Sequence, residues 1–148
     1  MPVAAAGAAL LGTGLLGVSL LLPWVSYGAF DFRLFDIPGW PQYLTLALAQ
    51  EVAMAATLLA PARRHRTFAL AATVVLGAGA LAAAVVTTRA GQDPHNMFDS
   101  VFPAISPMAG PGSHAAMLAA IAEVAAAALA WIRQAAPREP AMSGGTPS

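Results

Sequence analysis

The sequence predicts an all-α integral membrane protein, a four-helix transmembrane bundle with both termini in the cytoplasm. Of its 148 residues, 58% are apolar and only 9% are charged, against roughly a quarter charged in a soluble domain. Four apolar windows are each long enough to cross a hydrocarbon core of about 30 Å, which takes about 20 helical residues. Lipid is therefore the expected solvent for most of the chain.

The windows predict helices over about 7–27, 42–60, 67–88 and 114–132. The first window carries no charge from Val3 to Phe30. It lacks the basic start and short apolar core of a secretory signal, so we interpret it as a retained helix. The short turn between the second and third helices makes them antiparallel neighbours. Residues 1–133 then form one transmembrane domain, and the Pro-, Gly- and Ser-rich tail 134–148 is expected to be a disordered cytoplasmic segment.

Arginines predict the orientation, because basic residues in short loops stay on the cytoplasmic side. Five of the seven Arg lie at the ends assigned to the inside and two lie in the outer loops. The topology-setting residues on the inside include Arg63, Arg64, Arg66 and Arg133. This asymmetry predicts a multi-pass protein of the plasma membrane.

The first outer loop is rich in aromatic residues, whose amphipathic rings favour the headgroup level of a bilayer. We predict interfacial anchors at Trp24, Tyr27, Trp40 and Tyr43, and at Trp131 in the last helix. The alternative is an aromatic-lined surface that receives a partner or an apolar ligand.

The second outer loop begins with a helix start signal. Asp93 can cap a helix that has Pro94 at its first position. A short interfacial helix over 94–102 is predicted, since four apolar side chains fall on one face: Met97, Phe98, Val101 and Phe102. Asp93, His95 and Asp99 could hold a metal, but one His and two Asp on an exposed loop fit a solvated polar face better, and no metal site is predicted.

Two carboxylates lie in the middle of predicted helices. Glu51 and Glu123 are each nine residues from the outer start of a helix, about 13 Å along its axis. An ionised group there costs from about 2.5 to more than 10 kcal/mol, so each should face the protein interior and find a partner. No Arg lies at that depth, which leaves Gln50, Ser19 and Thr73 as candidate hydrogen-bond partners. At least one of the two is expected to be protonated at neutral pH.

Three interpretations of this polar site remain open. Neutral Glu side chains would merely hydrogen-bond helices together. A cationic or polar group from another subunit would make the chain an accessory or interaction subunit of a membrane complex. Exchange of a proton for a cationic substrate would make it a small proton- or cation-coupled transporter. The expected partners are the lipid bilayer and a second membrane protein or another copy of the chain.

Glycines in the first and third helices allow helices to approach closely. They include Gly12 and Gly77. Tight packing within the bundle is the expected use, and a homodimer face is the alternative.

Other classes of protein lack support in the sequence. There are no cysteines, which excludes disulfides and thiolate chemistry. The formal net charge is zero, and no extended basic surface is available for nucleic acid. No Ser, His and acid combination, phosphate loop or metal-ligand His pair occurs. Neither an enzyme nor a cofactor is predicted.

The order of the segments resembles that of small four-helix membrane proteins common in GC-rich bacteria. The resemblance rests on "LLPW" at residues 21–24, an Arg-rich inner turn and "GPG" at residues 110–112. It covers nearly the whole chain in layout. It implies the helical architecture, and it implies no activity and no site residues.

Overall fold

The long helices dominate a computed structural model that describes residues 3–59, 63–98 and 104–135, except the side chains of residues 133 and 135. The chain is mostly helical. The helices are α1 (Val3–Leu21), α2 (Trp40–Leu59), α3 (Arg63–Gln92), α4 (Pro94–Met97) and α5 (Pro111–Ala135). The strands are β1 (Val25–Tyr27), β2 (Phe30–Phe32) and β3 (Met108–Ala109), and a 3-10 turn covers Leu34–Asp36.

Among the described residues, three helices are long and apolar enough to cross a membrane: Val3–Leu21, Arg63–Gln92 and Pro111–Ile132. α2 has a sufficient length of 20 residues, but Gln42, Gln50 and Glu51 lower its apolarity. α2, the second predicted span, is therefore not among these three helices.

The long helices pack in an open order. α5 packs along α1 on one side and α3 on the other, and α3 also packs along α2. α1 and α2 touch only at a few positions. α1 and α2 therefore lie at the two ends of this order, and the seam between them is open.

Two apolar clusters fill the interior. The cluster nearer the end of the molecule that holds the strands, called the outer cluster by this position alone, includes Leu16 on α1, Ala47 on α2, Ala84 on α3 and Ala119 on α5. The inner cluster contains the following buried residues: Ala5, Ala9, Met54, Leu70, Ala126, Ala127 and Ala130. Each long helix contributes to both clusters, so each also crosses the layer that separates them.

A small antiparallel sheet caps the outer end, in the order β2-β1-β3. Gly28 makes the two-residue turn between β1 and β2 with a φ of 63°, as a tight hairpin requires. The backbone N–H of Gly110 donates to the Trp24 carbonyl at 2.7 Å, and that of Gly112 donates to the Pro23 carbonyl at 2.8 Å. These bonds join the outer ends of α1 and α5. The all-α prediction did not include this sheet.

Three predicted interfacial anchors are instead enclosed by protein. Trp24 and Tyr27 are fully buried and Tyr43 is 1% exposed. The Trp24 indole donates to the Ser19 carbonyl at 2.9 Å, and its ring lies 4.9 Å from that of Tyr43. The interfacial prediction is therefore corrected for these three residues, since their polar atoms are satisfied inside the fold. Trp40 is half-buried and packs against Phe35, with ring centroids 5.2 Å apart.

Tyr27 ties the cap to the end of α3. Its hydroxyl donates to the Gly91 carbonyl at 3.0 Å. Burial raises the pKa of this hydroxyl, and the neighbouring Asp93 carboxylate raises that pKa further. The hydroxyl therefore remains protonated and able to donate.

The first helix differs from its predicted bounds because proline ends it early. α1 begins at Val3 and ends at Leu21, whereas the prediction ran from 7 to 27. Pro23 has no N–H to donate and disfavours helical geometry in Leu22 before it. The next backbone N–H, that of Trp24, donates to the Phe32 carbonyl across the sheet at 2.8 Å.

The third and fourth predicted helices are longer than expected. α3 spans 30 residues, about 45 Å at 1.5 Å per residue. Its first turn contains Arg63, Arg64 and Arg66, which the sequence analysis placed in the connecting turn. The fourth predicted helix, α5, begins at Pro111 rather than 114 and reaches Ala135. Of the predicted tail, residues 136–148 lie outside the described residues.

In the second outer loop the predicted helix cap is present, but the helix is shorter than predicted. Asp93 caps α4, since its carboxylate accepts from the His95 backbone N–H at 3.0 Å. The helix ends at Met97, and Phe98 is extended. The Phe98 ring packs edge-on against the Tyr27 ring, with centroids 5.2 Å apart. This contact accompanies the extended backbone of Phe98. The rest of the predicted interfacial helix, from residue 99, lies outside the described residues.

Glycine at position 77 is predicted to be required for packing. An added Cβ would lie 2.5 Å from Val124 Cγ2 and 2.9 Å from Gln50 Nε2. We expect Gly77→Ala to lower the free energy of unfolding by about 1–3 kcal/mol, the usual cost of overpacking. Thermal unfolding in detergent micelles measures the change.

The matched control is Gly79→Ala, two residues along α3. Its Cβ would make ordinary contact with Leu46 at 3.6 Å. Alanine is the better helix former, so this variant should be neutral or gain up to about 1 kcal/mol. Equal stability of the two variants would contradict the close packing at Gly77.

Candidate functional site

The candidate site is the pair of carboxyl groups on Glu51 of α2 and Glu123 of α5. The two carboxyl groups lie close enough to interact electrostatically. They lie between the outer and inner apolar clusters, one turn from Ala47 and Ala119 on one side and near Met54 on the other. The sequence predicts that both residues lie at one depth, and the structure adds that their carboxyl groups are close together.

The pair depends on a proton. Glu51 Oε1 and Glu123 Oε2 are both buried and have no hydrogen-bond partner among the described residues. Two carboxyl groups form a hydrogen bond with each other only when one of them carries a proton. A proton shared between the two groups, with a carboxylic acid that donates to a carboxylate, would satisfy both atoms.

Thr13 of α1 is the further hydrogen-bond partner. Its Oγ1 donates to Glu51 Oε2 at 2.9 Å and also lies 3.2 Å from the Ala9 carbonyl of its own helix. This contact was not predicted from the sequence, although Thr13 is a polar residue near the middle of the first window. The missing information was the direction in which α1 presents that side chain.

The partners that the sequence suggested are engaged elsewhere. Ser19 donates to the Leu16 carbonyl at 2.7 Å, and Thr73 donates to the Ala69 carbonyl at 3.0 Å. Gln50 is buried, and its side-chain amide reaches the Ala120 carbonyl of α5 at 3.5 Å. Gln50 therefore links α2 to α5 beside the pair, without a recorded hydrogen bond to either carboxyl.

Glycine makes room for Glu123. A Cβ on Gly12 would lie 2.5 Å from Glu123 Cγ and 3.1 Å from its Oε1. The Glu123 side chain, which is only 3% exposed, thus lies directly against the backbone of α1. Gly7, Gly14 and Gly17 have open space where a side chain would be, so they do not share this role.

Two spaces flank the pair. A groove of about 300 Å³ runs along the seam between α1 and α2, and Glu51 and Thr13 line it with six mostly small or aliphatic side chains: Ala6, Ala9, Leu10, Met54, Ala55 and Leu58. On the other side, Glu123 lines a small cavity of about 10 Å³ with Tyr43 and Gln50. That volume is close to what one water molecule needs.

The basic residues lie far from the pair, at the inner end. Arg63 and Arg64 are exposed and Arg66 is half-buried. Arg63 donates to the Gln134 carbonyl at 3.0 Å, which links the start of α3 to the end of α5. The Arg133 side chain is outside the described part of the structure, and Trp131 nearby is 46% exposed.

The outer His and Asp residues form no built site in the part of the chain that the structure describes. His95 Nδ1 lies 3.2 Å from Asp93 Oδ1, and His114 Nδ1 lies 2.9 Å from the Gly110 carbonyl. The described residues contain no group of three metal-ligand side chains. Asp99 lies outside them.

Comparisons with known proteins add no relative. No protein-family model, curated protein or solved structure matches the chain. The resemblance to small four-helix membrane proteins of GC-rich bacteria therefore remains a prediction.

Removal of the Thr13 hydroxyl should weaken the junction of α1 and α2. Thr13→Val keeps the side-chain shape and removes the donor to Glu51. We expect a loss of about 0.6 kcal/mol, with 1.7 kcal/mol as the upper range for such bonds within membranes. Reversible unfolding in mixed detergent micelles measures it.

Thr45→Val is the matched control on α2. The Thr45 hydroxyl is exposed and donates to the Pro41 carbonyl of its own helix at 2.7 Å. This variant should match the parent chain in stability. A loss as large as that of Thr13→Val would indicate a general effect of valine rather than the hydrogen bond to Glu51.

Proposed function

We propose that the chain is a non-catalytic, multi-pass protein of the plasma membrane that acts as an interaction subunit of a membrane complex. In this proposal α1, α2, α3 and α5 cross the bilayer as a four-helix bundle. Both termini are cytoplasmic. The seam between α1 and α2 receives a transmembrane helix of a partner, which presents a cationic or polar group to Glu51.

The orientation rests on the arginines. Arg63, Arg64 and Arg66 cluster in the first turn of α3, and basic residues near short loops favour the cytoplasmic side. α2 is included as a span because its polar residues find partners inside the protein. Gln50 reaches α5 and Glu51 contacts both α1 and α5, which relieves the cost of placing them in lipid.

The open seam is the observation that carries the interaction role. α1 and α2 have few contacts, and the groove between them exposes apolar side chains together with one carboxylate and one hydroxyl. Three of the groove residues, Ala6, Ala9 and Ala55, are small, and small residues let membrane helices approach closely. A polar residue at this depth usually faces a partner rather than lipid.

A small proton- or cation-coupled transporter is the second candidate. The proximity of Glu51 and Glu123 favours it, because a proton shared between them could be exchanged for a cation that enters along the groove. The small cavity beside Glu123 and Tyr43 would then hold the water that carries the proton. A purified protein that forms only a homo-oligomer and releases protons when it binds a ligand would favour this candidate.

The proposed topology predicts the activity of reporter fusions. A reporter that is active only in the periplasm should be inactive when fused after Arg66, because that end of α3 is proposed to be cytoplasmic. The matched fusion after Gln92, at the other end of α3, should be active. Activity of the reporter fused after Arg66 would show that the orientation is the reverse of the one proposed.

Single cysteines test the seam, since the chain has no native Cys. Leu58 lines the groove, whereas Val75 is 71% exposed on α3 and is not among the groove residues. In native membranes, Leu58→Cys should cross-link to a second polypeptide several times more efficiently than Val75→Cys. Equal cross-linking of the two variants would contradict the proposal that the seam is the interaction surface. Adducts of the chain with itself alone would favour a homo-oligomer.

A further inference from the structure

We propose that the seam recognises one positive charge, a basic side chain carried in the middle of the partner's transmembrane helix, and that Glu51 supplies the matching negative charge. This inference rests on the interaction role proposed above. It specifies the chemistry of the partner, which the role alone leaves open.

The pair carries a net charge of minus one when it shares a single proton. Two carboxylates without a proton would repel each other, and two protonated groups would each need an acceptor. A single negative charge at this depth requires a counter-charge. No Arg or Lys lies in the middle of any helix of the chain, so a partner must supply it.

The geometry assigns the charge to Glu51 and the proton to Glu123. Glu51 Oε2 accepts a hydrogen bond from Thr13 at 2.9 Å, and donors favour the charged form of a carboxyl group. Glu51 also lines the groove. Glu123 is 3% exposed and lies against Gly12 on the far side of the pair, where a neutral acid costs least.

The shape of the groove favours a helix over a small molecule. The groove is open along the seam, and its volume of about 300 Å³ is at the lower limit for small-ligand pockets. Ala6 and Ala9 have short side chains, so the side of the groove formed by α1 projects little. Gly7 beside them has open space where a side chain would lie. A helix can therefore lie along α1 while a long basic side chain extends to Glu51.

The charged and titratable groups around the pair are few. Tyr43 of α2 is the titratable side chain that lies near Glu123 from the outer side. On α1 the polar side chain at the pair is Thr13, which is neutral, and α3 contributes Gly77 beside Gln50. The recognition is therefore determined by the two carboxyl groups.

The test uses synthetic transmembrane peptides of about 20 Leu and Ala residues, one with a central Lys and one with a central Met. The full chain is placed in phosphatidylcholine vesicles with a fluorophore on Val75→Cys, away from the seam. Energy transfer to labelled peptide gives the affinity. The Lys peptide should bind at least about tenfold more tightly than the Met peptide, as expected for a close charge pair.

Two variants assign the charge. Glu51→Gln should reduce the preference for the Lys peptide over the Met peptide to about one, and a cooperative thermal unfolding transition checks that this variant is folded. Glu123→Gln mimics a protonated Glu123, because its amide can donate to Glu51, and should keep the preference within about threefold. Loss of the preference in Glu123→Gln and not in Glu51→Gln would overturn the assignment.

The remaining outcomes separate this inference from the interaction role. Equal binding of the Lys and Met peptides would overturn the charge recognition, while seam-specific cross-linking of Leu58→Cys would still support the interaction role. Failure of both peptides to bind, together with absent cross-linking, would overturn both. Binding of free dodecylamine at the pair without binding of the Lys peptide would also overturn the inference and favour the transporter.

Discussion

The buried polar layer around Glu51 and Glu123 is the constraint on which the packing of the long helices depends. A layer of polar side chains lies between the two apolar clusters. Each long helix contributes to this layer either a polar residue or a glycine. α2 brings Gln50 and Glu51, α5 brings Glu123, and the other two helices bring glycines, Gly12 on α1 and Gly77 on α3. The glycines leave the space that the polar side chains occupy, because a carboxyl or amide group that is buried needs both volume and a hydrogen-bond partner.

The same layer explains why one seam stays open. α1 approaches α5 closely at Gly12, where the Glu123 side chain lies against its backbone. α2 approaches α3 at Gly77, where the Gln50 amide fits. α1 therefore packs closely on α5, and α2 packs closely on α3. α1 and α2 have few contacts with each other, and one of them is the hydrogen bond from Thr13 to Glu51. The resulting groove exposes the carboxylate that a partner would use.

The sequence predicts the elements better than their mutual arrangement. Apolar windows identify the helices, and spacing from the helix starts places Glu51 and Glu123 at one depth. Which helices are adjacent depends on side-chain directions that a window cannot supply, so Thr13 was missed as a partner. The aromatic loop was interpreted as an interfacial belt because composition cannot distinguish rings that face lipid from rings such as Trp24 that close a core. The strands are two or three residues long, too short for an alternating pattern to be recognised.

The outer cap determines which residues of α1 and α5 meet at the pair. The Gly112 N–H donates to the Pro23 carbonyl at 2.8 Å, and a side chain at Gly112 would lie 2.7 Å from the Leu22 carbonyl, so this junction requires glycine. Eleven positions separate Gly112 from Glu123 along α5, and eleven separate Pro23 from Gly12 along the first segment. The path along α5 descends about 16 Å at 1.5 Å per residue. The other path is helical from Gly12 to Leu21, about 14 Å, and Leu22 and Pro23 complete it. A backbone contact in the cap thereby brings the glycine of α1 to the depth at which Glu123 needs space.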